Sequence, residues 1–180
     1  YSNTARTFGG AIMNSGQLVI SNTRLADNWV EEQDGGAMHL GGSSNDVTIV
    51  NSTISGNSAQ DVGGVSHVGG QVRLVNSTIS QNIDRSGSTG GVKAWAGAVT
   101  TTLTNTTIVS NTGFGLDRSA GDIVFYNSLI AYNGSSDCNY NDINNMISGG
   151  YNLASDSSCA FLTATGDITN ADPLLGPLAD

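Results

Sequence analysis

The sequence has few basic residues, few charged residues of any kind and few residues that favour helices. Lys and Arg together number 6 among 180 residues, against 15 Asp and Glu, so the net charge is −9 at pH 7. Nucleic-acid binding needs clustered basic residues, so this composition argues against DNA or RNA as a partner. The scarcity of good helix formers excludes a helical bundle. No apolar run approaches the roughly 20 residues that cross a bilayer, so no membrane span is predicted.

Small polar residues dominate the chain instead. Gly, Ser, Asn and Thr together fill 82 of the 180 positions. Such a composition is typical of disordered chains, but 38% of the residues are hydrophobic. That fraction is enough to form a core only where the apolar residues are placed economically.

The apolar residues follow an internal repeat. The motif N-[ST]-x-[IL]-x-x-N occurs five times, as NTRLADN, NSTISGN, NSTISQN, NTTIVSN and NSLIAYN, and the first asparagines are 29, 25, 29 and 22 residues apart. A Gly-Gly pair precedes each of the first four copies, and an alternating segment such as QLVIS or DVTIV lies between the pair and the motif. The residue three positions after the first asparagine is always aliphatic: Leu25, Ile54, Ile79, Ile108 and Ile130.

This alternation predicts strands with one buried face. A repeat of 22–29 residues is too short to bury a core alone. It can do so as one coil of a solenoid whose coils stack about 4.8 Å apart as parallel strands. We therefore predict an all-β fold, a parallel β-helix of about six coils. The handedness rule for parallel crossovers favours a right-handed coil.

The two motif asparagines predict an asparagine ladder at each end of a short strand. An Asn at an inward-facing corner can exchange amide hydrogen bonds with the Asn above and below it. The first ladder would contain Asn22, Asn51, Asn76, Asn105 and Asn127, and the second Asn28, Asn57, Asn82, Asn111 and Asn133. The Ser or Thr after each first Asn is expected to form a hydroxyl ladder beside it. Asn51, Asn76, Asn105 and Asn133 begin glycosylation sequons, but we expect inward amides and no glycosylation.

The repeat resembles that of right-handed parallel β-helix surface proteins of bacteria. The C-terminal stretch, from Gly150-Tyr151-Asn152-Leu153 to GDITNADPLLGPLAD, resembles the end region of large surface proteins of the choice-of-anchor kind. This resemblance implies an exported, extracellular or cell-surface protein, and it implies little about activity. We interpret 1–134 as regular coils and 135–180 as an irregular terminal coil of the same domain. The segment reads as part of a longer chain.

Two cysteines lie in that terminal region. Cys138 and Cys159 are 21 residues apart. In an exported protein a disulfide between them is favoured over free thiols. A metal site at these residues is not expected, because the sequence has no CxxC and no nearby His.

Two weaker patterns involve titratable residues. His39 and His67 each lie three positions after a Gly-Gly pair, which would make them neighbours on one strand face, and a metal or proton-transfer pair competes with a plain surface column. Glu31, Glu32 and Asp34, with Asp61 from the next coil, are candidate Ca²⁺ ligands. A solvated acidic loop is the favoured interpretation, and no cofactor is expected.

The expected function is structural: a rigid spacer, adhesin or sheath element of a bacterial surface protein, without catalysis. The alternative is a carbohydrate-active β-helix enzyme, such as a polysaccharide lyase, hydrolase or epimerase. Such an enzyme needs converging carboxylates and basic groups, whereas Lys93 is the only lysine and the arginines occupy different repeat positions. The expected partners are the remainder of a longer β-helix, a second copy stacked end to end, or a surface polysaccharide.

Overall fold

The computed structural model describes residues 2–97 and 99–176, and it is a parallel β-solenoid of about six coils. Each of the first coils passes through four sheets, A to D, before the chain returns one level further along the axis. Within the described ranges the helical content is a single 3-10 turn, Ile143–Asn145. No helix among these residues is long and apolar enough to cross a membrane. The predicted fold class is confirmed.

The strands of each sheet follow one another in chain order along the axis. Sheet A contains Thr4–Ala5, Trp29–Val30, Ser58–Ala59 and Ile83–Asp84. Sheet B contains Ile12–Asn14, Met38–Leu40, Val65–His67, Thr89–Ala94, Phe114–Arg118 and Ser136–Tyr140. Sheet C contains Gln17–Ser21, Asp46–Val50, Gln71–Val75, Thr100–Thr104, Asp122–Tyr126 and Met146–Ser148. Sheet D contains Arg24–Ala26, Thr53–Ser55, Thr78–Ser80, Thr107–Val109, Leu129–Ala131 and Leu153–Ala154.

The apolar columns of the repeat become the core. In sheet D, Ile54 pairs in register with Ile79, and Ile79 with Ile108. These three side chains are completely buried and belong to one continuous hydrophobic cluster. Each coil therefore buries its apolar side chains against the coils above and below, which a lone repeat could not do.

The second asparagine column forms a buried, directional ladder. In each coil the backbone N–H and the Nδ2 of the Asn donate to the Oδ1 of the Asn in the following coil; from Asn28 to Asn57 these distances are 3.0 and 2.7 Å. The same pattern links Asn57 to Asn82 and Asn82 to Asn111. This inner ladder begins at the exposed Asn3, and it satisfies the buried amides of Asn28, Asn57, Asn82 and Asn111 because each of them is both donor and acceptor.

The first asparagine column faces outward, so the expectation of two inward ladders is wrong for this column. Asn51, Asn76 and Asn105 are exposed, and all three adopt left-handed backbone conformations, with φ between 49° and 50°. Because the chain reverses its side-chain direction there, the following hydroxyl residue enters the interior: Ser77 Oγ accepts from the Ser52 N–H at 3.2 Å. Three of the four sequon asparagines are therefore exposed, and the inward orientation expected for them is wrong.

The exposed asparagines still form a ladder, here called the outer ladder. Each Nδ2 donates to the Oδ1 of the preceding coil, over distances of 3.4, 3.3, 2.9 and 2.6 Å from Asn51 to Asn127. This direction is opposite to that of the inner ladder. The two ladders lie at different corners of the coil: the outer ladder is exposed to solvent, and the inner ladder is buried.

The C-terminal end of the solenoid is closed by carboxylates and a disulfide. The inner ladder ends on Asp137, whose Oδ1 accepts from Asn133 Nδ2 at 3.0 Å. The hydroxyl ladder continues from Ser128 to Asn152 and ends on Asp167. A carboxylate accepts and does not donate, so it terminates a donor-to-acceptor chain. The predicted disulfide, Cys138–Cys159, joins the last strand of sheet B to the segment that covers this end.

The two ends of the core differ in burial. At the C-terminal end Phe161 is buried and packs edge-on against Phe125 and Tyr140. At the N-terminal end Leu18 and Leu25 are only partly buried, although their counterparts in later coils are completely buried. Among the described residues the core is therefore covered more completely at the C-terminal end than at the N-terminal end.

Candidate functional site

The outer face of sheet B carries a row of side chains that includes a histidine, a serine, a lysine and an aspartate. One residue of each strand that alternates with the inward-facing residues stands opposite its counterparts in register: Met13, His39, Ser66, Lys93, Asp117 and Asn139. Neighbouring coils are about 4.8 Å apart, so each side chain lies beside the next. We call this row the sheet B column.

Lys93 forms the charged centre of the sheet B column. Its Nζ lies 3.3 Å from Asp117 Oδ2 and 3.6 Å from Asp61 Oδ1, and it donates to Ser88 Oγ at 3.1 Å. The ammonium also lies 3.8 Å from the centre of the Trp95 ring, a cation–π arrangement. Only 8% of the Lys93 side chain is exposed. Its charge therefore interacts with groups of the protein itself.

Asp117 is held just as firmly. Its side chain is 5% exposed, and its carboxylate accepts from Thr89 Oγ1 and from Asn139 Nδ2, both at 2.9 Å. A buried carboxylate with two hydrogen bonds and an ammonium partner has its charge well compensated. Together with Asp61 and Asn139, the Lys93–Asp117 pair therefore links four adjacent coils.

His39 forms a second polar pair on the same face. Its Nδ1 lies 2.6 Å from Asp34 Oδ1, and its ring packs against Phe8 with 4.5 Å between ring centres. The next residue of the column, Ser66, is completely buried, and its hydroxyl has no hydrogen-bond partner among the described residues. Asp, His and Ser are the residue types of a nucleophilic triad, but no hydrogen bond joins the serine to the histidine, and this bond is what activates such a nucleophile.

Asp84 approaches this region from sheet A. It is buried, and one carboxylate oxygen accepts from the N–H and hydroxyl of Ser86, whereas the other has no partner within the described part of the chain. Burial raises the pKa of Asp84, and the nearby Asp61 carboxylate adds to this effect. The surroundings of Lys93 therefore carry more acidic than basic groups.

The two histidines are not neighbours, so the prediction of a His39–His67 pair is wrong. Ser66 stands opposite His39, and His67 stands opposite Leu40 and Ala94. The reason is the spacing after the glycines: Met38 pairs with Val65, which places Gly64 opposite Ala37 and shifts the coil by one residue. A shift of one residue turns a side chain to the other face of a strand.

His67 consequently points into the interior and is completely buried. Its Nε2 donates to the Gly69 carbonyl at 3.0 Å, so Nδ1 accepts from the Thr101 hydroxyl at 2.8 Å. Burial lowers the pKa of His67 from 6.5 to about 4. The ring is a neutral structural group at physiological pH, with both nitrogens satisfied.

The acidic residues considered as Ca²⁺ ligands are not brought together. Glu32 pairs with Arg6 at 3.0 Å, Asp34 binds His39 and Asp61 faces Lys93, while Glu31 is exposed. In residues 2–97 and 99–176 no three His, Cys, Asp or Glu side chains are arranged to hold a metal ion. Three of the four candidates thus have basic or imidazole partners of their own.

Comparison with protein families, with curated proteins and with solved structures finds no match. No known protein therefore indicates a role for the sheet B column. What the column can do chemically has to be judged from its geometry.

Ser66, Lys93 and Asp117 each lie two positions after a glycine (Gly64, Gly91 and Gly115), but they share no residue type, so the sequence repeat does not mark them as a group. Alignment on the buried residue just before each, Val65, Val92 and Leu116, places them in one column. The apolar positions define the strand register directly, whereas the spacing from the Gly-Gly pair differs by one residue between the paired residues Met38 and Val65.

Proposed function

We propose that this chain is a non-catalytic structural module of an exported bacterial surface protein, where it acts as a rigid spacer. One observation carries the proposal: the strongest cluster of catalytic residue types is sealed. Lys93 and Asp117 are 8% and 5% exposed at their side chains, and they neutralise each other at 3.3 Å. Catalytic acids and bases need access to substrate, and these two groups are almost completely covered by the protein.

The ladders support the same role. Hydrogen bonds run along the axis at two corners of the interior and at one exposed corner, so each coil is tied to its neighbours by side chains as well as by sheet pairing. Each additional coil lengthens such a rod by about 4.8 Å. The disulfide and the resemblance to bacterial surface proteins support an extracellular location.

Stacking on another β-helical coil is part of the proposal and is assigned to the N-terminal face. Leu18 and Leu25 are only partly buried there. At the other end Asp137 and Asp167 terminate the ladders, and Phe161 covers the core. Head-to-tail stacking of identical copies would have to displace that cover, so a coil of different sequence is the favoured neighbour.

A carbohydrate-active enzyme is the second candidate, and one observation favours it. His39, Ser66 and Lys93 occupy three consecutive levels of a single face, Asp34 binds His39 from the same coil, and the Ser66 hydroxyl has no partner among the described residues.

A turnover screen separates the two candidates. The purified module is incubated with neutral and uronate polysaccharides, and new reducing ends and unsaturated products are measured. We expect no turnover by the wild type. Turnover that is lost in His39→Gln and retained in His67→Gln, which alters a buried histidine on the opposite side of the strand, would establish the enzyme and overturn the structural proposal.

A further inference from the structure

Two exposed tyrosines stand at the C-terminal end of the outer ladder. Tyr126 directly precedes Asn127, the last asparagine of that ladder. Tyr151 occupies the equivalent left-handed position in the following coil, with φ of 59°, because Leu129 pairs with Leu153 two residues later. The two side chains are large and well exposed, Tyr126 at 43% and Tyr151 at 65%.

Both rings pack against glycines that leave room for them. A Cβ added at Gly149 would overlap the ring of Tyr126, and a Cβ added at Gly166 would lie 2.5 Å from Cδ1 of Tyr151. Any side chain at these two positions would displace the ring above it. Each tyrosine ring therefore packs against the backbone of a glycine, while much of its surface remains exposed to solvent.

The phenol groups of this pair are unengaged. Within the described residues neither Tyr126 nor Tyr151 makes a side-chain hydrogen bond, whereas the phenol of Tyr132, on the next corner, binds Asp172. Exposed aromatic rings held in place without a polar partner cost hydrophobic free energy in water. A ligand that covers them would recover part of it.

The outer ladder continues this surface along the axis. Asn51, Asn76 and Asn105 each use one hydrogen and one lone pair to reach their neighbours, whereas the end members Asn22 and Asn127 use only one of the two. An amide has two of each, so every level keeps one donor and one acceptor for a ligand. The strand residues beside the row in sheet C are also uncharged: Ser21, Val50, Val75 and Thr104.

We propose that Tyr126, Tyr151 and the outer ladder bind a neutral polysaccharide chain that lies along the solenoid axis. The apolar face of a sugar ring packs on an aromatic ring, and sugar hydroxyls pair with amide donors and acceptors. The row has no charge although the chain carries −9 overall, so it suits a neutral sugar better than a uronate. A protein partner would require a broader apolar patch than two tyrosines in a row of amides.

This surface lies at the corner between sheets C and D and shares no residue with the sheet B column. The proposal goes beyond the spacer role and does not depend on it. A spacer that binds no glycan keeps its rigidity, and a glycan-binding module that turns out to be flexible still binds.

The test is retention of the purified module on insoluble cellulose, chitin, mannan and xylan, with polygalacturonate as the charged comparison. We expect at least one neutral polymer to retain the protein and polygalacturonate not to do so. The double variant Tyr126→Ala/Tyr151→Ala should lose tenfold or more in affinity. The matched control Tyr132→Ala removes a similarly exposed tyrosine from another corner and should bind as the wild type does.

A second variant guards against a general loss of structure. Asn105→Asp puts a charge in the middle of the exposed row without changing side-chain volume, and it should also weaken retention while circular dichroism stays unchanged. Absence of retention on every neutral polymer would overturn the proposal. So would equal retention by the double variant, or sedimentation showing that the tyrosines join two copies of the module in place of a glycan.

Discussion

Replacing Asp137 with asparagine should destabilise the solenoid far more than its small chemical change suggests. Asp137 is 1% exposed, and its Oδ1 accepts from Asn133 Nδ2 at 3.0 Å. Its Oδ2 accepts from the N–H and the hydroxyl of Ser155, both at 2.7 Å, and from the Asp156 N–H at 3.2 Å. An amide presents only one acceptor atom, so in either orientation its NH₂ group faces donors.

The magnitude follows from the donors that lose their acceptor. With the amide oxygen toward Ser155, the inner ladder loses its terminal acceptor; with the opposite orientation, Ser155 and Asp156 lose theirs. One or two stranded buried donors at about 1–3 kcal/mol each, together with the loss of charge-assisted bonds, give about 2–5 kcal/mol. The lost hydrogen bonds lie where the inner ladder meets the last coil and the segment that covers it.

The assay is urea denaturation at pH 7 with the disulfide intact, followed by circular dichroism. Asp46→Asn is the matched control, because it makes the same chemical change at an exposed carboxylate paired with Arg73, and it should cost less than about 1 kcal/mol. An Asp137→Asn variant within 0.5 kcal/mol of the wild type would refute the idea that a carboxylate is needed to end the ladder; this threshold is about the usual scatter for a surface substitution.

Three further perturbations probe other parts of the same framework. The pKa of His67 is about 4 when folded against 6.5 when unfolded, so the unfolded chain binds the extra proton in that window. The stability that His67 contributes is complete above about pH 6.5 and falls by about 3 kcal/mol by pH 4; comparing urea midpoints across this range should show a weaker pH dependence in His67→Gln. Removing the disulfide with Cys138→Ala/Cys159→Ala should cost about 3 kcal/mol, and an unchanged melting temperature would contradict this. Ile79→Ala at the centre of the core should cost about 2–5 kcal/mol in denaturation, whereas the outward neighbour Thr78→Ala should cost much less.

The core could be predicted from the sequence because the repeat encodes it directly. Ile54, Ile79 and Ile108 share one motif position, and the structure stacks them in register. Period-two alternation within a short repeat leaves few ways to bury such residues. The disulfide could also be expected, since both cysteines lie in the same terminal region.

The orientation of the first asparagine column could not be read in the same way. Asn76 and Asn82 look equivalent in the motif, but Asn76 has φ of 49° and faces solvent, whereas Asn82 is completely buried. A single left-handed residue changes which of two adjacent polar side chains enters the core. Sequence pattern alone does not distinguish the asparagine from the Ser77 that replaces it inside.

The sheet B column was hidden for a different reason. Its six members come from six coils and have no common residue type, so no sequence motif marks them. Only the register, which is shifted by one residue at Gly64, brings Ser66 between His39 and Lys93. Function is further removed from the pattern, because the same solenoid can carry very different surfaces.

Native-state hydrogen exchange measured by NMR tests the central claim most directly, namely that axial ladders bind the coils into one rigid rod. The backbone N–H groups of Asn28, Asn57, Asn82 and Asn111 each donate to the Oδ1 of the next asparagine, at 3.0–3.1 Å. We expect all four to exchange only through global unfolding, with one common free energy equal to that from denaturation. Rapid exchange of any of these groups, or free energies that differ from coil to coil, would show that the coils open separately and would contradict the account.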